Sequence, residues 1–225
     1  MGAMPLALVT GASKGIGAAI ARALAPTHQL LLGGRDADAL ATFAKELPDA
    51  KPLAVDLTDP DAVATAVAGI DALDVLVHSA GVAPLGRIED ADREAWQRNF
   101  DVNVLAVVEL TRLLLPALRA ASGNVVLINS GAGYNARPGW APYAASKFAL
   151  RAFGDALRAE ESSLRVTSVH PGRTDTAMQE RIIAGEGREY RASDFLRPES
   201  VAQAVLSAVT AGDDAHVTEV SIRPR

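Results

Sequence analysis

Thr10-Gly11-Ala12-Ser13-Lys14-Gly15-Ile16-Gly17 lies directly after an apolar run at residues 6–10, and its third part opens an alanine-rich amphipathic stretch at residues 15–25. A strand that turns sharply into a helix needs residues without a Cβ, and the new helix offers unpaired N–H groups and a positive dipole end to an anion. The spacing is G-x-x-x-G-x-G rather than the commoner G-x-G-x-x-G. Three glycines can also punctuate an ordinary turn. Their place between the first strand and the first helix favours a loop that holds a pyrophosphate.

The same alternation continues along the chain. Short apolar runs at residues 6–10, 29–33, 51–55, 73–78, 124–129, 165–170 and 217–222 predict strands. Amphipathic stretches at residues 15–25, 37–46, 60–68, 93–120, 141–162 and 198–211 predict helices, the last opening with Pro198 in its first turn. The pattern predicts an α/β fold, a doubly wound and mostly parallel seven-stranded sheet flanked by helices on both faces. With 225 residues, 49% of them hydrophobic and 22% charged, the chain suits one domain over residues 1–225. Residues 1–3 read as a cloning scar ahead of a native start at Met4.

Charge narrows the partners. A net charge of −5 and a pI near 5.4 offer no basic surface to nucleic acid or to an anionic membrane, so neither is expected as a partner. The absence of cysteine excludes disulfide and thiolate chemistry and agrees with a cytoplasmic location. No apolar run approaches the length of a membrane span, and no basic segment precedes an apolar one at the N-terminus. Histidines 28, 78, 170 and 216 are not grouped with acids at metal-ligand spacing, so no metal site is expected.

The second predicted strand ends in Gly33-Gly34-Arg35-Asp36. An acid at this tip accepts from the ribose 2′-OH of NAD, whereas an arginine accommodates the 2′-phosphate of NADP. Gly34 takes the discriminating position and Arg35 follows it, with Lys14 as a second cation in the glycine loop. NADP(H) is therefore favoured over NAD(H). Asp36 argues for restraint unless it caps the following helix.

Tyr143-Ala144-Ala145-Ser146-Lys147 falls on a predicted helix, where residues four apart share a face. A neighbouring ammonium favours phenolate, and lowering a tyrosine from about 10 to about 7 takes roughly 4 kcal/mol. A tyrosine tuned in this way exchanges protons near neutral pH. Two surface residues four apart would look the same. Ser130 precedes the tyrosine by 13 positions (143 − 130).

With the glycine turn, Arg35, Ser130 and Tyr143-x-x-x-Lys147 in order, the chain resembles the short-chain dehydrogenase/reductase family over essentially its whole length. The resemblance implies a Rossmann fold with Asn103, Ser130, Tyr143 and Lys147 as catalytic residues. It also implies a cofactor site. Gly11, Ser13, Lys14, Gly15, Ile16 and Gly17 would cradle the phosphates, and Asp56 and Leu57 would meet the adenine. Ser79, Ala80 and Gly81 stand where the family usually has N-A-G; Ser79 lacks the amide, which puts a strand-bracing bond in doubt. Pro171, Gly172, Thr174 and Thr176 would hold the nicotinamide, with Tyr143 and Lys147 at its ribose.

Residues 174–197 would form a substrate lid, and Leu85, Tyr134, Trp140 and Met178 would line the pocket. His78 reads as a packed strand end and Arg173 as an exposed loop cation, with an anionic substrate as the alternative. The implied reaction interconverts a small-molecule ketone or aldehyde and an alcohol. A non-catalytic NADP(H) sensor of the same fold is the alternative. Relatives commonly form homodimers or homotetramers through their long helices, here the alanine-rich residues 104–121 and 144–159.

Overall fold

Seven strands form one parallel sheet in a computed structural model that describes residues 4–212 and 214–225. The scar expected at residues 1–3 lies outside these residues. In chain order the strands are β1 (Leu6–Thr10), β2 (Gln29–Gly34), β3 (Ala50–Ala54), β4 (Val75–His78), β5 (Asn124–Ile128), β6 (Arg165–Pro171) and β7 (Glu219–Ile222). They lie in the order β3-β2-β1-β4-β5-β6-β7, and every neighbouring pair is parallel. Strand order reverses between β1 and β4, so the connections leaving those two strands part and open a crevice at their carboxyl ends.

Helices α1 (Gly15–Leu24), α2 (Ala37–Ala44), α3 (Pro60–Val67), α4 (Arg93–Phe100), α5 (Ala106–Ala121), α6 (Ala141–Glu160), α7 (Ala177–Gly185) and α8 (Pro198–Val209) cover the sheet. Alternate residues of β1 feed two cores. Ala7 and Val9 pack with Ile20, Leu24 and Val205 on one face, while Leu8 packs with Val63, Leu110 and Leu150 on the other. Short side chains cap the helix starts: the carboxylates of Asp36, Asp59 and Asp92 each accept the N–H three residues on.

Two expectations need correction. The helix expected over residues 93–120 is interrupted by a π-helical turn at Asp101–Leu105, centred on the buried Asn103. No helix is expected over residues 177–185, yet α7 forms there, because Thr176 caps it and Ile183 anchors it in the interior. Among the described residues no helix is long and apolar enough to cross a membrane.

Candidate active site

The β1–α1 turn is shaped by two close approaches. Gly11 has φ +65°, and a Cβ there would fall 2.9 Å from the backbone of Ala80. A Cβ on Gly17 would fall 2.3 Å from the carbonyl oxygen of Gly11. Lys14 occupies the N-cap position of α1 without a side-chain capping bond, leaving the first-turn N–H groups of α1 available to an anion. Ser13 and Ile16 complete the turn beside them.

Thr10 braces this turn against β4. Its hydroxyl accepts from the N–H groups of Ser79 (3.0 Å) and Ala80 (3.1 Å) and donates to Val77 O (3.3 Å). The backbone at Ser79 is thus braced from the neighbouring strand. Gly81 continues the wall towards Asn103.

At the tip of β2, the Asp36 carboxylate accepts from Ala39 N at 3.0 Å and is committed to capping α2. Arg35 projects beside it, with Nη1 3.9 Å from Asp56 Oδ2. Hydrogen bonds from the backbone and then the hydroxyl of Thr58 hold the Asp56 carboxyl below its ordinary range, and Arg35 adds to this. Leu57 follows, half-buried against the core. Arg35 and Lys14 line one cavity of about 940 Å3, together with Leu85, Trp140 and Met178.

The ends of β5 and α6 bring Ser130, Tyr143 and Lys147 together. Ser130 Oγ accepts from Ala132 N at 3.1 Å, which satisfies the turn and leaves its proton free to donate, and Ser130 and Tyr143 line the same cavity. Tyr143 is 9% exposed and Lys147 4% exposed. Lys147 Nζ donates to Ile128 O at 3.0 Å and lies 5.9 Å from the centre of the Tyr143 ring.

The tyrosine's acidity departs from expectation. Burial raises the Tyr143 phenol above 10.0, against a smaller lowering from Ser130, and burial lowers the Lys147 ammonium to about 8. In the cofactor-free protein burial therefore acts against the depression expected from the neighbouring ammonium.

Asn103 joins these parts from behind. Its Oδ1 accepts from Val82 N at 2.9 Å, and its Nδ2 lies 3.0 Å from Val82 O, 3.0 Å from Ser146 Oγ and 3.3 Å from Asn99 Oδ1. Ser146 in turn donates to Tyr143 O at 2.8 Å. The π turn aims Asn103 at the loop after β4 and at the first turns of α6.

Pro171 ends β6, and Gly172, Thr174 and Thr176 border a second cavity of about 400 Å3 with Ser130 and Tyr143. Thr174 Oγ1 donates to Gly172 O at 3.1 Å. Thr176 reaches back over the glycine turn, its methyl 3.2 Å from where a Gly15 Cβ would stand. The two cavities share Trp140, Met178 and Ile182, so the crevice runs from Arg35 to Ser130. Arg173 is no free loop cation: it is bonded to Glu186 and lies 5.6 Å from the Trp140 ring centre. Tyr134, expected in the pocket wall, packs instead on His170, with ring centres 4.3 Å apart.

The fold that carries this crevice is matched in known proteins. The short chain dehydrogenase family model matches residues 5–187. The chain belongs to the short-chain dehydrogenase family. An uncharacterised oxidoreductase of Staphylococcus saprophyticus is 34% identical, with 97% of each chain covered. Alcohol dehydrogenase from the archaeon Thermococcus sibiricus, complexed with 5-hydroxy-NADP, is 28% identical with a TM-score of 0.90, covering 99% of this chain and 97% of that one. A variant of actinorhodin polyketide ketoreductase with NADPH is 26% identical with a TM-score of 0.91, covering 100% and 98%.

Within this short-chain dehydrogenase, the sequence reading missed Thr10 and Asn129. Asn129 is buried; its Oδ1 accepts from Ser130 N at 2.8 Å and its Nδ2 donates to Lys147 O at 3.1 Å. An asparagine directly after the apolar run at residues 125–128 was the available signal, since a buried amide needs partners. His78 is the packed strand end expected. It is buried, its Nε2 lies 2.9 Å from Thr111 Oγ1, and desolvation lowers it to about 3.

Proposed function

We propose that the chain is an NADP(H)-dependent oxidoreductase that interconverts a ketone or aldehyde and an alcohol. The observation that carries this reading is the meeting of Ser130 and Tyr143 in the wall of one cavity, with the Lys147 ammonium 5.9 Å from the Tyr143 ring centre. Donors so placed hydrogen-bond a carbonyl oxygen and stabilise the charge that develops on it.

The crevice suits a dinucleotide. Gly11 and Gly17 keep clear the space that side chains would fill, and the uncapped start of α1 is available to a pyrophosphate. Engagement of Asp36 as a helix cap leaves Arg35 and Lys14 as the charged groups for a 2′-phosphate, which supports NADP(H) over NAD(H). When bound, the reduced nicotinamide supplies the hydride. Thr174 and Thr176, which line the cavity at Ser130, would hold its carboxamide, and Lys147 would hold its ribose.

Ser130 polarises the carbonyl and Tyr143 gives its proton to the oxygen. Burial favours the neutral phenol of Tyr143, the form that a reduction requires. Proton return passes through Lys147, with Asn103 and the π turn holding the region to which it leads.

Exposed Leu105 in the π turn and Phe148 on α6 support a homodimer or homotetramer formed through the long helices. Cysteine-free composition supports a cytoplasmic setting.

NADPH oxidation across a panel of ketones and aldehydes tests the reading. Turnover is expected for the wild type and its loss for Tyr143→Phe, with NADPH affinity kept. Undiminished turnover in the variant refutes the tyrosine's role. NADPH binding without turnover of any panel member would favour the sensor.

A further inference from the structure

The cavity at Ser130 and Tyr143 holds more positive charge than a cofactor accounts for. Arg173 in its wall is neutralised by Glu186, but Arg137 and Arg223 have no carboxylate within 4.0 Å among the described residues. The acid that shares the wall is Asp194. The adjoining cavity adds Arg98 and Arg181, likewise without an acidic partner among the described residues. A positive crevice on a chain of net charge −5 draws anions towards it.

Arg223 is the best placed of these cations. It follows β7, and the chain brings it over the end of β6, where Nη1 donates to His170 O at 2.6 Å and to Ile222 O at 3.0 Å. Two carbonyls thus fix the guanidinium plane, and the remaining N–H groups stay available. Nη2 faces Gly131, 3.4 Å from the position a Cβ would take there. Gly131 is the residue after Ser130, and His170 Nδ1 lies 3.1 Å from Ser130 O, so the cation and the serine share one support. A fixed fork of this kind matches a carboxylate.

We propose that the substrate is an oxo acid, or its hydroxy acid in the reverse direction, with its carboxylate on Arg223 and its carbonyl at Ser130 and Tyr143. Arg137 supplies a second cation from the same cavity wall. The proposal rests on the reductase reading. In the reduction the carbonyl carbon accepts a hydride from the reduced nicotinamide and the oxygen accepts a proton from Tyr143. The hydroxy acid and NADP+ leave with the carboxylate unchanged, and solvent returns the proton to the phenol.

The test compares linear oxo acids with their methyl esters in the wild type and Arg223→Gln, beside calorimetric titration of malonate into the NADP+-saturated enzyme. The wild type is expected to prefer the acids by about 10- to 100-fold in kcat/KM, and Arg223→Gln to lose most of that preference through KM. Malonate binding should weaken by about tenfold or more in the variant, and Arg223→Lys should recover part of the preference. Retained NADPH affinity marks a folded variant. Equal use of acids and esters by the wild type, or an undiminished preference in Arg223→Gln, overturns the proposal. If neither acids nor esters react, the reductase reading has failed for this class and malonate decides the anion site. Saturable binding weakened by the substitution then upholds the site, and absent or unaffected binding refutes it.

Discussion

Asn129 and Lys147 cross-link β5 to α6 in both directions. Asn129 Nδ2 donates to Lys147 O at 3.1 Å, while Lys147 Nζ returns to Ile128 O, one residue before Asn129, at 3.0 Å. Because Asn129 Oδ1 also accepts from Ser130 N, one amide positions the serine and the turn that carries the lysine. Asn129→Asp keeps an acceptor for Ser130 and loses the donor to Lys147. Its kcat is expected to fall about 10- to 100-fold, as misplaced catalytic groups cost, with NADPH affinity retained. The new carboxylate favours charged Lys147, so the pH dependence of kcat should move upward. Asn129→Ala should lower kcat without that movement, and identical pH profiles for the two variants would contradict the positioning role.

The buried Lys147 ammonium costs stability in the cofactor-free protein. Its folded pKa is lowered to about 8 from 10.5, so between these values the unfolded chain holds more protons and stability rises with pH. Lys147→Met is therefore expected to raise the Tm near pH 7 while abolishing turnover. The gain should shrink as pH rises from about 8 towards 10.5, and thermal melts across that range measure it.

His78 behaves with the same sign at acid pH. Its folded pKa is about 3 against an ordinary 6.5, so acid between those values protonates the unfolded chain and weakens the fold by up to about 1.4 kcal/mol per pH unit. His78→Asn removes this proton. Urea midpoints from pH 6.5 to pH 4 should fall less steeply in the variant.

Arg35→Asp should exchange cofactor preference. Removing the cation weakens NADPH, and the new carboxylate offers an acceptor to a ribose 2′-OH. The ratio of kcat/KM for NADPH to that for NADH is expected to fall about 100-fold or more. NADPH kinetics equal to those of the wild type would remove Arg35 from the site.

Much of this architecture is legible in the chain because it is local. Strands and helices follow from apolar period, and the glycine turn follows from residues within one loop. Thr10 bracing Ser79 and Asn129 joining Lys147 are not legible, since each bond unites segments that only the sheet brings together, 69 and 18 residues apart. Helix α7 escaped notice among charged neighbours, although Thr176 followed by Ile182 and Ile183 carried a cap and an apolar face. The burial that raises the Tyr143 phenol in the cofactor-free protein is not legible either, since spacing shows a cation nearby but does not show how completely water is excluded.

The π turn at Asp101–Leu105 has a mechanical consequence. One extra residue in a helix advances everything after it by about 100° around the axis. The face that α5 turns inward, with Leu110 and Leu114, is therefore out of phase with α4 by that step, and Asn103 sits at the change. Deleting one residue of the turn would straighten the helix at the cost of rotating Leu110 and Leu114 off the core. The angular bookkeeping of a whole helix is thus tied to the aim of one amide, so this part of the site and the packing of α5 have to be inherited together.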